Sequence, residues 1–139
     1  MSVPVGQRGE TKLAVIDKAE KLCAYTINIT SNEKRFPKRY RWCLNDKIVE
    51  KAINITVLAH EANGVYPKTK HDLDYRLLLQ LKAIAEINGL LTLITVAHQC
   101  YGIKLENVEA WLQMVTYERT LLKKWREADI LKKGELPDE

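Results

Sequence analysis

The sequence predicts an all-α fold, an up-down-up-down antiparallel four-helix bundle. Three observations lead there. Four prolines and six glycines are spread over 139 residues and fall at a few points, leaving long stretches without helix breakers. Between those points, apolar residues recur three, four or seven apart, the spacing of one helix face. The stretches so marked are about 20 to 30 residues long with short links between them, which favours antiparallel neighbours.

The first helix is read over residues 11–31, with Leu13, Ile16, Cys23, Ile27 and Thr30 as its inner face. Residues 1–10 are read as a flexible N-terminal arm. Pro37 suits the first turn of a helix and disfavours helix at Phe36 before it, so the second helix is placed at 37–62. Its inner residues are Tyr40, Leu44, Ile48, Ile55, Leu58 and Ala62. The run Asn63, Gly64, Val65, Tyr66, Pro67 is a stop signal. Thr69 or Asp72 is positioned to cap a third helix, which continues to Tyr101 and ends at Gly102. The fourth begins at Leu105 or Glu106 and runs to Lys132. Glu106 and Glu109 near its start and Lys132 and Lys133 near its end complement the helix dipole. The bundle domain is 11–133, and residues 134–139 are read as a frayed tail. In this topology the 1–2 and 3–4 corners share one end, and the 2–3 link and the C-terminus share the other.

The third helix is unusual. Between Leu77 and Tyr101 the only formal charges are Lys82 and Glu86, and leucine and isoleucine lie nearly all round it. A bundle helix normally keeps a broad polar face. The pattern fits either a central apolar helix or one whose outer face forms a subunit interface. The most apolar run, 87–103, contains Asn88, His98 and Gln99 and is short for a bilayer span, so no membrane role is expected. The N-terminus does not read as a signal peptide, and a cytoplasmic protein is expected.

The charge is local. The chain carries +4, and so does residues 32–42 alone, with Lys34, Arg35, Lys38, Arg39 and Arg41 against Glu33. Interleaved are Phe36, Pro37, Tyr40 and Trp42. Phe36 before Pro37 sits where a hydrophobic staple would, with Tyr40 one turn on, so the aromatics can be structural or can stack on bases. Trp42 fits a core or an interface. Five cations beside a helix N-terminus run against the dipole. Phosphate or an acidic protein surface would satisfy them. Arg119, Lys123 and Arg126 form a second basic row at i, i+4 and i+7, with Lys124, Lys132 and Lys133 nearby. Lys68, Lys70, His71 and Arg76 are placed at the same end. A solvated charged face is the plain reading of that row; a nucleic-acid surface is the other.

Residues that chemistry needs are scarce. No Glu stands three before His60, His71 or His98, which argues against a di-metal carboxylate site, and no cofactor is expected. His60 begins an HE pair without the second histidine of a zinc protease, and His60 and His98 are expected as packed, hydrogen-bonded helix residues. There is no phosphate-binding glycine loop and no nucleophile elbow, and the serines are only Ser2 and Ser31. Cys23, Cys43 and Cys100 are odd in number, show no metal spacing, and are expected as buried, reduced thiols. The acid pairs Glu106/Glu109 and Asp72/Asp74 sit where helix N-termini favour acids. The expectation is a protein that is not an enzyme and holds no metal.

The segment RFPKRYRWCLNDKIVEKAI, with Phe36 and Pro37 opening the second helix, Lys38 and Arg41 after them, and the Leu44–Ile48 ladder, resembles the four-helix accessory variability determinants of diversity-generating retroelements. These are akin to the four-helix proteins encoded in ribosomal-RNA intervening sequences. The likeness extends more loosely over 11–129, through the leucines of the third helix to Trp125. It implies a homopentameric ring that binds RNA or DNA and a reverse transcriptase, in support of mutagenic retrohoming. On this reading Lys34, Arg35, Lys38, Arg39, Arg41, Arg119, Lys123 and Arg126 carry the contacts. The alternative expectation is a structural protein–protein interaction module of a mobile element, without a nucleic-acid role.

Overall fold

The computed structural model describes the backbone of residues 5–138 and the side chains of residues 11–138. Among them all regular structure is helical: α1 (Val5–Thr30), α2 (Asp46–Gly64), α3 (Lys70–Tyr101) and α4 (Glu109–Lys132). α1 and α3 each pack on both α2 and α4. Paired side chains fix the neighbours. Thr56 Oγ1 of α2 donates to the Ala19 carbonyl of α1 at 3.2 Å. Lys51 and Asn54 of α2 meet Glu86 of α3 at 3.2 Å each. Arg119 of α4 donates to Asn88 of α3 at 3.0 Å.

The core runs along the middle of all four helices. Val15, Ala19 and Leu22 come from α1, Ile48, Ala52, Ile55 and Ala59 from α2, Ile87, Leu90 and Ile94 from α3, and Val115 and Leu122 from α4. Each fully buried large apolar side chain contributes about 1.5 to 3 kcal/mol. The alanines are small enough for α1 and α2 to approach closely, which is how a threonine hydroxyl on one reaches a carbonyl on the other. One buried residue breaks the apolar rule. Glu118 of α4 has no exposed surface, and neither carboxylate oxygen has a hydrogen-bond partner. Burial pushes its pKa up to about 9, so it sits in the core as the neutral acid at pH 7.

Helix starts follow local chemistry. α3 opens with a capping box: the Asp72 amide donates to Thr69 Oγ1 at 3.1 Å and the Thr69 amide to Asp72 Oδ2 at 3.2 Å. Both expected cap residues therefore take part. α3 ends at Gly102, whose φ of 66° is the left-handed turn that glycine adopts freely. α4 begins at Glu109, after a 3₁₀ turn at Leu105–Asn107, slightly later than the sequence reading.

Other boundaries differ more. α1 begins at Val5, ahead of residue 11; residues 1–4 of the expected arm lie outside the described residues. Its buried face is Val15, Ala19, Leu22 and Thr26, whereas Leu13 is 70% exposed and Ile27 is also exposed. The expected face is rotated from the buried one: Ile16 and Cys23 pack at the edge of the core, while the small Ala19 and Thr26 fit against α2 and Trp111. The second helix does not start at Pro37. A 3₁₀ turn (Lys38–Tyr40) and a π-helical turn (Arg41–Asn45) precede α2. The C-terminal segment is docked: the Lys70 amide donates to the Pro137 carbonyl at 2.8 Å, and Lys70 Nζ pairs with Asp138 at 2.8 Å. Residue 139 lies outside the described residues.

α3 is, among the described residues, the one helix long and apolar enough to cross a membrane by length and composition, a test that the core helix of a bundle also passes. Its outer side carries Leu78, Leu81 and Val96, all exposed, together with Ala85 and Thr92 and two charges, Lys82 and Asp74, the latter paired with Lys133. The apolar girdle read from the sequence is thus partly core and partly surface.

Candidate nucleic-acid interface

The basic corner is shaped by a small aromatic cluster. Phe36 is buried and meets Tyr101 of α3 and Trp111 of α4 edge-on, at 5.7 and 5.9 Å between ring centres. Tyr40 stacks on Tyr101 at 5.1 Å. Phe36 and Tyr40 are therefore linked through Tyr101, a partner that sequence spacing within the corner could not supply. Trp111 is itself fixed, its indole donating to Thr26 Oγ1 at 2.9 Å while that hydroxyl donates to the Leu22 carbonyl at 2.8 Å. Asn45 completes the corner from the π-helical turn. Its amide donates to the Pro37 carbonyl at 3.1 Å and its oxygen accepts from the Tyr101 hydroxyl at 2.7 Å. The extra residue of a π turn brings this polar side chain inward, and such turns recur at functional sites.

On this rigid base the cations face water. Lys34, Arg35, Lys38, Arg39 and Arg41 are all exposed, and among the described residues none makes an ion pair. Arg39 lies over the Tyr40 ring at 4.9 Å, which holds its guanidinium at the surface without neutralising it. Trp42 is 79% exposed, so it is not a core residue, and it stands free beside the cations. Phe36 and Tyr40 are structural; Trp42 is the corner's available stacking surface.

Three grooves surround the corner. One of about 450 Å³ lies between the two corners at this end, lined by Lys34, Arg35, Tyr101, Lys104, Glu106 and Asn107. A second of about 270 Å³ shares Arg35 and Asn107 with it and adds Tyr25, Asn28 and Asn32. The third, about 370 Å³, is lined by Glu33, Lys38, Arg41 and Asp46 among others. Lys104 is the residue that sequence reading missed. It is a lone cation in the α3–α4 link, and only the expectation that both corners share an end could have singled it out.

The second basic row is mostly committed. Arg119 is half-buried on Asn88, and Arg126 Nε donates to the Leu77 carbonyl at 3.2 Å. Lys123 is exposed. Arg76 is buried against Asp129 at 2.8 Å, Lys132 pairs with Asp129 at 3.3 Å, and Lys133 with Asp74 at 2.7 Å. Arg119 and Arg126 therefore tie α4 to α3 before they offer charge outward, because a long guanidinium stem can reach across a helix groove.

The histidines and cysteines divide likewise. His98 Nδ1 donates to the Ile103 carbonyl, while His60 is exposed and faces Glu20 at 2.9 Å. Cys43 and Cys100 are exposed and Cys23 is half-buried, so the expectation of three buried thiols fails; the first two lie on the outer edge of their helical turns. No group of three or more His, Cys, Asp or Glu side chains converges among the described residues. No protein-family model, curated protein or solved structure matches this chain.

Proposed function

We propose that this chain is a non-enzymatic accessory protein of a diversity-generating retroelement, binding single-stranded RNA or DNA through the basic corner and serving a reverse transcriptase. The observation that carries the proposal is the set of five unpaired, exposed cations on an aromatic base, joined across a groove by Lys104. Surface charge in a folded protein is usually interspersed with the opposite sign, and a local excess attracts phosphate. The resemblance at Phe36–Pro37 and the Leu44–Ile48 ladder supplies the retroelement setting and the reverse transcriptase.

The same reading takes the fold as up-down-up-down and antiparallel. Its support is the run of α3–α4 pairs: Arg76 with Asp129, Leu77 with Arg126, and Asn88 with Arg119, in which the α3 number rises as the α4 number falls. It takes the assembly as a homopentamer through the outer face of α3, where Leu78, Leu81 and Val96 are exposed. The five corners of such a ring would multiply weak phosphate contacts.

Fluorescence anisotropy with a labelled single-stranded RNA of mixed sequence tests the binding. Arg35→Gln with Lys104→Gln should weaken it about tenfold or more at low salt and leave the fold intact, since exposed charges contribute roughly 0 to 1 kcal/mol to stability. Unchanged affinity would remove the groove between the corners from the proposal.

A further inference from the structure

The opposite end of the bundle holds a separate groove of about 340 Å³. Lys12 of α1, Arg76 of α3, Trp125 and Lys132 of α4, and Tyr66 and Pro67 of the α2–α3 link line it, with Leu136 at the edge. Asp129 lies at its base, fully buried, and its carboxylate is saturated. Oδ2 accepts from Arg76 Nε at 2.8 Å and from Gln80 Nε2 at 2.7 Å. Oδ1 accepts from Arg76 at 3.4 Å and from Lys132 Nζ at 3.3 Å. Arg76 also donates to the Val65 carbonyl at 3.2 Å and lies over the Trp125 ring at 4.9 Å.

Lys12 is left over. It is half-buried, and among the described residues no hydrogen bond or ion pair holds it. Burial, and then the like charges of Arg76 and Lys132, lower its pKa, with Asp129 opposing. Glu135 at the rim is exposed and pairs with no cation among the described residues. The groove thus carries three cations against two carboxylates, beside a wall of Tyr66, Pro67 and Leu136. Tyr66 is 80% exposed and covers nothing in the bundle core. Convergent charged groups with a net positive balance beside an apolar wall make a ligand site.

We infer that this groove binds a small organic anion, its oxyanion head on Lys12 and Lys132 and its apolar or aromatic body against Tyr66, Pro67 and Leu136. Arg76 is committed to Asp129 and contributes its field, whereas Lys132 makes one contact of 3.3 Å to that carboxylate and keeps ammonium donors for the anion. The head can be a carboxylate or a phosphate, because an ammonium recognises both as a point charge. The site lies away from the basic corner and does not rest on the nucleic-acid reading.

Calorimetric titration and thermal melting at constant ionic strength test it, with phenyl phosphate, benzoate and inorganic phosphate as probes. At least one aromatic anion should bind saturably and raise the melting temperature, and inorganic phosphate should bind about tenfold or more weaker than phenyl phosphate. Which aromatic anion binds more tightly assigns the head group. Lys12→Met should abolish the ligand-induced shift while leaving the unliganded melting temperature equal to or above that of the parent, because it removes a like-charge contact. Tyr66→Ala should bring phenyl phosphate down to the affinity of inorganic phosphate. The inference is overturned if neither aromatic anion binds saturably, if Lys12→Met binds as the parent does, or if Lys12→Met melts well below the parent without ligand, which would make Lys12 a structural residue.

Discussion

The Tyr101 hydroxyl donates to Asn45 Oδ1 at 2.7 Å, joining the last residue of α3 to the π-helical turn that carries Arg41. Burial, with the Cys43 and Cys100 thiols nearby, pushes the Tyr101 pKa up to about 12, so it remains a donor throughout the neutral range. Asn45 passes the restraint to Pro37. Tyr101→Phe keeps the ring contacts with Phe36 and Tyr40 but leaves the Asn45 oxygen without its donor. That should cost about 1 to 2 kcal/mol, or roughly 3 to 6 °C in melting temperature for a chain of this size. A differential scanning measurement showing no shift would mean the bond does not hold the corner.

Phe36→Ala reaches the same corner from the core side. The ring is buried between Tyr101 and Trp111, so truncation leaves a cavity and should cost about 3 to 5 kcal/mol. Urea unfolding checks it. A loss below 1 kcal/mol would show that the corner collapses easily around the missing ring.

Glu118 makes stability depend on pH in a defined direction. Its folded pKa of about 9 lies above its ordinary value of 4.5, because burial disfavours the anion. The stabilising neutral form is fully retained below pH 4.5, and the advantage is lost as pH rises through 9, at up to about 1.4 kcal/mol per unit in between. The urea midpoint of the parent should therefore fall between pH 6 and pH 8. Glu118→Met removes an unsatisfied polar group, and its midpoint should be higher and much flatter over the same range. Parallel pH profiles for parent and variant would contradict this account of the core.

The outer face of α3 bears on assembly. Leu78 and Leu81 are each nearly half exposed and stand one helical turn apart. If they are covered by a second copy, light scattering should give a mass several times 16.0 kDa, and Leu78→Glu with Leu81→Glu should reduce it to the monomer while circular dichroism stays helical. A parent that remains a monomer at all concentrations would remove the ring from the proposed function.

The number of helices, the caps at Thr69, Asp72 and Gly102, and the buried ladder of α2 were legible because each rests on local chemistry. The face of α1 was not. Ala19 and Thr26 are inside because of what α2 and Trp111 place opposite them, and no periodicity within α1 records that. The five corner cations were legible as a charge excess, whereas Lys104 needed the other corner to be brought beside them. Arg119, Lys123 and Arg126 looked like one surface, yet only Lys123 is without a hydrogen bond, since the stems of the other two find acceptors on α3. Trp42 was read as core or interface, and its exposure excludes the core.

The salt dependence of single-stranded RNA binding tests the central claim most directly. Log affinity should fall linearly with log salt, and for single strands each phosphate contact contributes a slope of about 0.7. Arg39→Gln with Arg41→Gln should weaken binding at low salt and flatten the slope by about 1.4, with the melting temperature nearly unchanged. If the variant binds RNA with the parent's affinity and slope, the corner does not hold phosphate, and its cations face an acidic protein surface instead.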